Sequence, residues 1–117
     1  MIIVKANAAS EAGVMPEDSL FAVMADYHEA LARAGVLLDA AGLQPTAKGW
    51  RIDYADGRRE ITDGPFALDQ GGLVAGYTLI QVRSREEALE WSRRYPAPHG
   101  AGAPAQIEVR QLYELED

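Results

Sequence analysis

Residues 73–83, LVAGYTLIQVR, run without a break into Ser84-Arg85-Glu86-Glu87. This junction limits the folds open to the chain more than any other feature. The first part is the longest strand-like run in the sequence. The second is a capping box: the Ser84 hydroxyl can accept one free amide of a helix start, and the Glu87 carboxylate can reach back to another. Ala88, Trp91 and Tyr95 then recur as a buried stripe, and Pro96 ends the helix. A strand that passes at once into an amphipathic helix calls for a layer of helices packed on a sheet.

The rest of the chain repeats that logic. MIIVKA (1–6) reads as a buried strand, and ASEAG (9–13) as a loop. Pro16 suits the first turn of a helix, with Glu17 and Asp18 near its positive end. Leu20, Met24, Tyr27, Leu31 and Ala34 continue the helix at three- and four-residue spacing until Gly35 stops it. VLLDAAGL (36–43) is a second strand, with Gly42 a bulge or irregular end and Pro45 barring its continuation. GWRIDYADGRREIT (49–62) is a hairpin: Trp50, Ile52 and Tyr54 alternate with Arg51 and Asp53, and Ala55-Asp56-Gly57 turns the chain. Residues 67–72 are a loop with Gly71-Gly72, PAPHGAGAP (96–104) is a flexible loop, and AQIEVRQLYE (105–114) is the last strand. The order β-α-β, hairpin, β-α-β predicts an α+β, ferredoxin-like subunit with two helices on one face of an antiparallel sheet.

Composition narrows the function. A chain of 117 residues suits a single domain, 1–117, and one this small gains from burying a further face in an oligomer. The net charge of −7 repels a phosphate backbone, so nucleic acid is not an expected partner. With no cysteine, thiol catalysis, thiolate metal sites and disulfides are excluded. The two histidines stand apart with no chelating pattern, and Gly71-Gly72 does not open a phosphate-binding helix, so neither a metal nor another cofactor is expected. No membrane-length apolar run or leader is present, and a cytoplasmic protein is expected.

The hairpin exits through Asp63-Gly64-Pro65-Phe66. Asp63 can cap a turn or stand as a site carboxylate. Gly64 permits positive φ or close approach, Pro65 fixes its own φ and extends Gly64, and Phe66 can plug an apolar pocket. TDGPFA (62–67), followed by GGLVAGYTLIQVRSREEALEWSRRYP (71–96) and IEVRQLYE (107–114), resembles the YCII-related family, and within it the DGPF-domain proteins. AGVLL (34–38) and GLQP (42–45) fit the same pattern, and the resemblance covers nearly the whole chain. It implies subunits that pair into a dimeric α/β barrel. It also implies relatives regarded as enzymes through a histidine and an aspartate meeting in a pocket, a dehydrochlorinase in one branch, and an association of some members with sigma-factor-like regulators. Counted back from AGVL, the family's histidine position falls near Met24, one helical turn before His28.

Two functions follow as expectations. One is a lyase- or isomerase-like proton-transfer enzyme with Asp63 as base or orienter and His28 or Arg110 assisting. The other is a non-catalytic ligand-binding or interaction subunit, tied to a regulator. His28 lies at the edge of the apolar stripe and is either a boundary residue or a general acid-base group near Asp63. His99 sits in the 96–104 loop, solvated or closing over a site. The polar strand face offers Lys5, Asn7, Tyr77, Gln81, Glu108 and Arg110, with Glu108 pairing Lys5 or Arg110. Inside a homodimer that face would line a cavity for a small anionic molecule, contacted by Lys5, Tyr77, Arg110 and Phe66; it would equally serve as an interface of ion pairs. Trp91 is expected in the core and Trp50 at an interface.

Overall fold

β1 (Ile2–Lys5) runs up the middle of the main sheet, with β5 (Val74–Ile80) on one side and the short β6 (Ile107–Val109) on the other. β2 (Leu37–Gly42) adds to the far side of β5, giving the order β2-β5-β1-β6 with every neighbour antiparallel. The computed structural model describes residues 1–69 and 72–114. Gln70 and Gly71, inside the loop expected over 67–72, lie outside the described residues.

α1 (Ala8–Glu11) and α2 (Asp18–Arg33) lie between β1 and β2, and α3 (Arg85–Arg93) lies between β5 and β6. Two strand–helix–strand units thus interleave, which is the ferredoxin-like α+β plan. β3 (Trp50–Ala55) and β4 (Arg58–Asp63) form a separate hairpin inserted between β2 and β5. Asp56 (φ 51°) and Gly57 (φ 75°) both take the left-handed conformation that a two-residue hairpin turn needs, so Asp-Gly closes it without strain on the flanking strands.

α2 and α3 share one core. Tyr27, Leu31 and Val36 are its buried centre, with Leu37, Ile80, Val82, Trp91 and Tyr95 packed around them. Full burial of Leu31 contributes about 1.5–3 kcal/mol. The Tyr27 hydroxyl donates to the Trp91 carbonyl at 2.6 Å, which ties α2 to α3. Burial, reinforced by Tyr95 and opposed by Arg94, pushes the Tyr27 phenol up to about 12. Trp91 is half-buried against this core, as its helical spacing required.

Several local expectations are corrected. The stretch 9–13 is mostly helix: the Asn7 side chain accepts the Ser10 amide and the Ser10 hydroxyl accepts the Asn7 amide, which nucleates α1. α2 starts at Asp18 behind Glu17, leaving Pro16 outside the first turn. Glu87 reaches back to the Arg83 amide, not that of Ser84, while the Ser84 hydroxyl accepts the Glu87 amide as expected. The irregularity of β2 falls between Leu37 and Asp39, not at Gly42. The last strand contracts to Ile107–Val109, paired with Ile2 to Val4, and single backbone bonds from the Lys5 amide to Gln106 and from the Arg110 amide to Met1 flank it.

Candidate functional site

Register decides which side chains meet. Ile3 stands opposite both Tyr77 and Glu108, so the three share one face of the sheet. Lys5 joins them after a slip between Val4 and Lys5 that sets Lys5 opposite Val74. Ile2 and Thr78 form the other face and are buried beneath the helices. Asn7 leaves the strand face to cap α1, and Gln81 lies past β5, beside Arg83 and Glu87 in a separate cleft of about 420 Å³.

On the open face, Lys5 Nζ lies 3.4 Å from Glu108, and Arg110 donates to the same carboxylate at 3.2 Å. Arg110 first, and then Lys5, hold the Glu108 carboxyl below its ordinary range. The Lys5 side chain is only 16% exposed, so its stem is packed while its ammonium meets the ion pair. One strand over, the Tyr77 hydroxyl donates to Asp39 at 2.8 Å, and that bond raises the Tyr77 phenol. Sequence reasoning missed Asp39. The signal was an acid within the apolar run VLLDAAGL. At the end of β1 the surface opens into a cleft of about 360 Å³ bordered by Lys5, Asn7, His99, Pro104 and Gln106. His99 Nε2 donates to the Lys5 carbonyl at 2.8 Å, so this side chain pins the loop to the cleft edge and is not freely solvated.

His28 belongs to the opposite side of the sheet. Its Nδ1 lies 2.8 Å from the Met24 carbonyl and its Nε2 lies 2.8 Å from the Thr78 hydroxyl. A carbonyl only accepts, so Nδ1 carries a proton, and in the neutral ring Nε2 accepts from Thr78. Thr78 and Tyr77 are adjacent in β5 and point to opposite faces, so the sheet separates His28 from Lys5, Tyr77 and Arg110.

Asp63 ends β4 opposite Trp50, on the inserted hairpin. It is exposed, and no hydrogen bond or ion pair to its carboxylate is found among the described residues. The corner that follows is held from below. The Gly64 amide donates to the Gly49 carbonyl at 3.0 Å, and the Phe66 amide donates to the Thr46 hydroxyl at 2.9 Å. Thr46 opens a short 3-10 turn, Thr46–Lys48, and both its amide and its hydroxyl donate to Glu11 of α1, at 3.1 and 2.5 Å. Gly64 lies so close to this turn that a Cβ would sit 1.8 Å from the Thr46 carbonyl oxygen, which accounts for glycine at this position. The Gly64–Pro65 bond is cis. The Phe66 ring is half-buried and lies under the Arg51 guanidinium, 3.9 Å from it.

The structure therefore brings together Lys5, Glu108 and Arg110, with Tyr77 and Asp39 beside them. It does not bring His28 to Asp63. Strand order, helix placement and the inserted hairpin define a ferredoxin-like α+β protein. The family model of the YCII-related domain matches residues 1–113, and the chain belongs to that family. No curated protein matches it. No helix among the described residues is long and apolar enough to cross a membrane.

Proposed function

We propose that this protein is a non-catalytic binding subunit that works as a homodimer and holds a small anionic molecule on its open sheet face. The observation that carries the reading is the placement of Lys5 and Arg110 around Glu108, with the Glu108 and Arg110 side chains open to solvent. Two cations share one carboxylate there, which leaves donors for a second anion. Tyr77 donates its only proton to Asp39, so toward a ligand its oxygen can only accept, from a protonated group of the bound molecule and not from its anionic end.

The shape of the chain supports pairing. It measures 46 × 44 × 20 Å, a flat outline, and its radius of gyration is 16.2 Å. A compact chain of this length has about 13 Å. A second copy laid on the open face would enclose the ion pairs and strengthen them by excluding water.

The proton-transfer reading is less well supported. It needs His28 and Asp63 within one hydrogen bond or one bridging water. Both His28 nitrogens are engaged elsewhere, and Asp63 stands on the hairpin.

Light scattering and calorimetric titration with a panel of small mono- and dicarboxylates test the proposal. The wild type is expected to have the mass of a dimer or of an assembly built from dimers, and Arg110→Ala to lose at least about tenfold in affinity for the carboxylate that binds, the size of one charge-assisted hydrogen bond. A monomer mass, or equal affinity in wild type and Arg110→Ala, rejects it.

A further inference from the structure

The hairpin is amphipathic in register. Trp50 pairs with Asp63, Ile52 with Ile61, and Tyr54 with Arg59, and these six side chains share one face. Arg51, Thr62, Asp53, Glu60, Ala55 and Arg58 form the other. The polar face turns toward the chain's own corner, where Arg51 covers Phe66. The apolar face is bare: Trp50 is 63% exposed, Tyr54 69%, Ile61 68% and Ile52 38%. A two-stranded hairpin is marginal by itself, and a contiguous apolar patch on a projecting element marks a contact surface.

We infer that this face docks on the same face of a second copy. The charges at its two ends select the partner and the orientation. A two-fold axis across the strands, through the Ile52–Ile61 pair, lays each isoleucine on its own counterpart. It sets Trp50 over Tyr54 of the second copy, and Asp63 over Arg59 of the second copy, twice by symmetry. The alternative two-fold, along the strands, sets Asp63 over Trp50 and Arg59 over Tyr54 and pairs no charges. The patch carries one acid and one base, so it complements itself and no single-charge surface. This contact is separate from the open sheet face, and in it the Asp63 carboxylate fixes the orientation of the pairing.

Sedimentation velocity over a broad concentration range tests this in the full chain, with Trp50 emission followed in parallel in a Trp91→Phe background, where Trp50 is the one tryptophan. Arg59→Asp and Asp63→Arg each turn two attractive pairs into repulsive ones and are expected to weaken self-association about tenfold. The double variant Arg59→Asp/Asp63→Arg restores the pairs with signs exchanged and is expected to regain wild-type association, with Trp50 emission moving to the blue as concentration rises. Single reversals that associate like wild type, a double variant no better than the singles, or a Trp50 emission that stays water-like at every concentration would each overturn the inference.

Discussion

Replacing Gly64 with alanine isolates what the Asp-Gly-Pro-Phe corner rests on. The new Cβ would lie 1.8 Å from the Thr46 carbonyl oxygen and 2.6 Å from its carbonyl carbon. Both are backbone atoms, so no rotamer change relieves the clash. The corner and the 3-10 turn must separate by roughly 1.5 Å to reach ordinary packing distance. That displacement breaks the bonds from the Gly64 amide to Gly49 and from the Phe66 amide to Thr46. Each is worth about 1 kcal/mol net, and a donor left without a partner adds about 1 kcal/mol more. The total is about 3 kcal/mol, or roughly 12 °C in Tm for a domain of this size. Gly42 is the control: nothing lies within 4 Å of a Cβ built there, so Gly42→Ala should change stability by less than about 0.5 kcal/mol. Thermal and urea unfolding of both variants give the numbers, and amide exchange at Phe66 reports the local bond. A Gly64→Ala protein that melts within about 2 °C of wild type, with Phe66 still protected, would show that the corner does not rest on the Thr46 turn.

Three further variants have expected outcomes. Tyr27→Phe removes the bond to Trp91 and should cost about 1 kcal/mol in urea unfolding. Because the folded phenol sits near 12 against an unfolded 10.0, its contribution is complete below pH 10 and is lost as pH rises toward 12, so Tyr27→Phe should flatten the alkaline arm of the stability profile. Glu108 has the opposite sign: its folded pKa is depressed, so its contribution holds above the unfolded value of 4.5 and disappears as pH falls through the lower folded value. Glu108→Gln should show a shallower acid limb than wild type in the same unfolding series. Thr78→Val strips His28 of its Nε2 partner inside the sheet–helix layer and should cost about 1–3 kcal/mol in thermal unfolding, against no change for Thr62→Val on the exposed hairpin.

The elements that could be read in the sequence are those fixed by local periodicity. Tyr27 and Leu31 are spaced for one helix face, and both are buried. Asp56-Gly57 closes the hairpin because the turn chemistry is local. Alternation in β1 and β6 placed Lys5 and Glu108 on one face, and the register then brought them together. What escaped depends on contacts distant in sequence. Glu11 and Thr46 are far apart in the chain, and no pattern announces that one carboxylate holds the turn beneath Gly64. α1 escaped because it is a single turn without an apolar stripe; its mark was the Asn7–Ser10 pair. His28 was placed correctly at the edge of the apolar face, but which side of the sheet it meets follows from strand order, and that order set it against Thr78, away from Asp63.

The ¹⁵N spectrum of the His28 ring, in wild type and in Asp63→Asn, probes the binding-subunit reading at its root. The neutral ring is expected to carry its proton on Nδ1, with Nε2 accepting from Thr78, and both signals are expected to be the same in the two proteins. A His28 tautomer or titration that changes on Asp63→Asn would mean that the two residues form one proton-transfer unit, and the non-catalytic reading would fall.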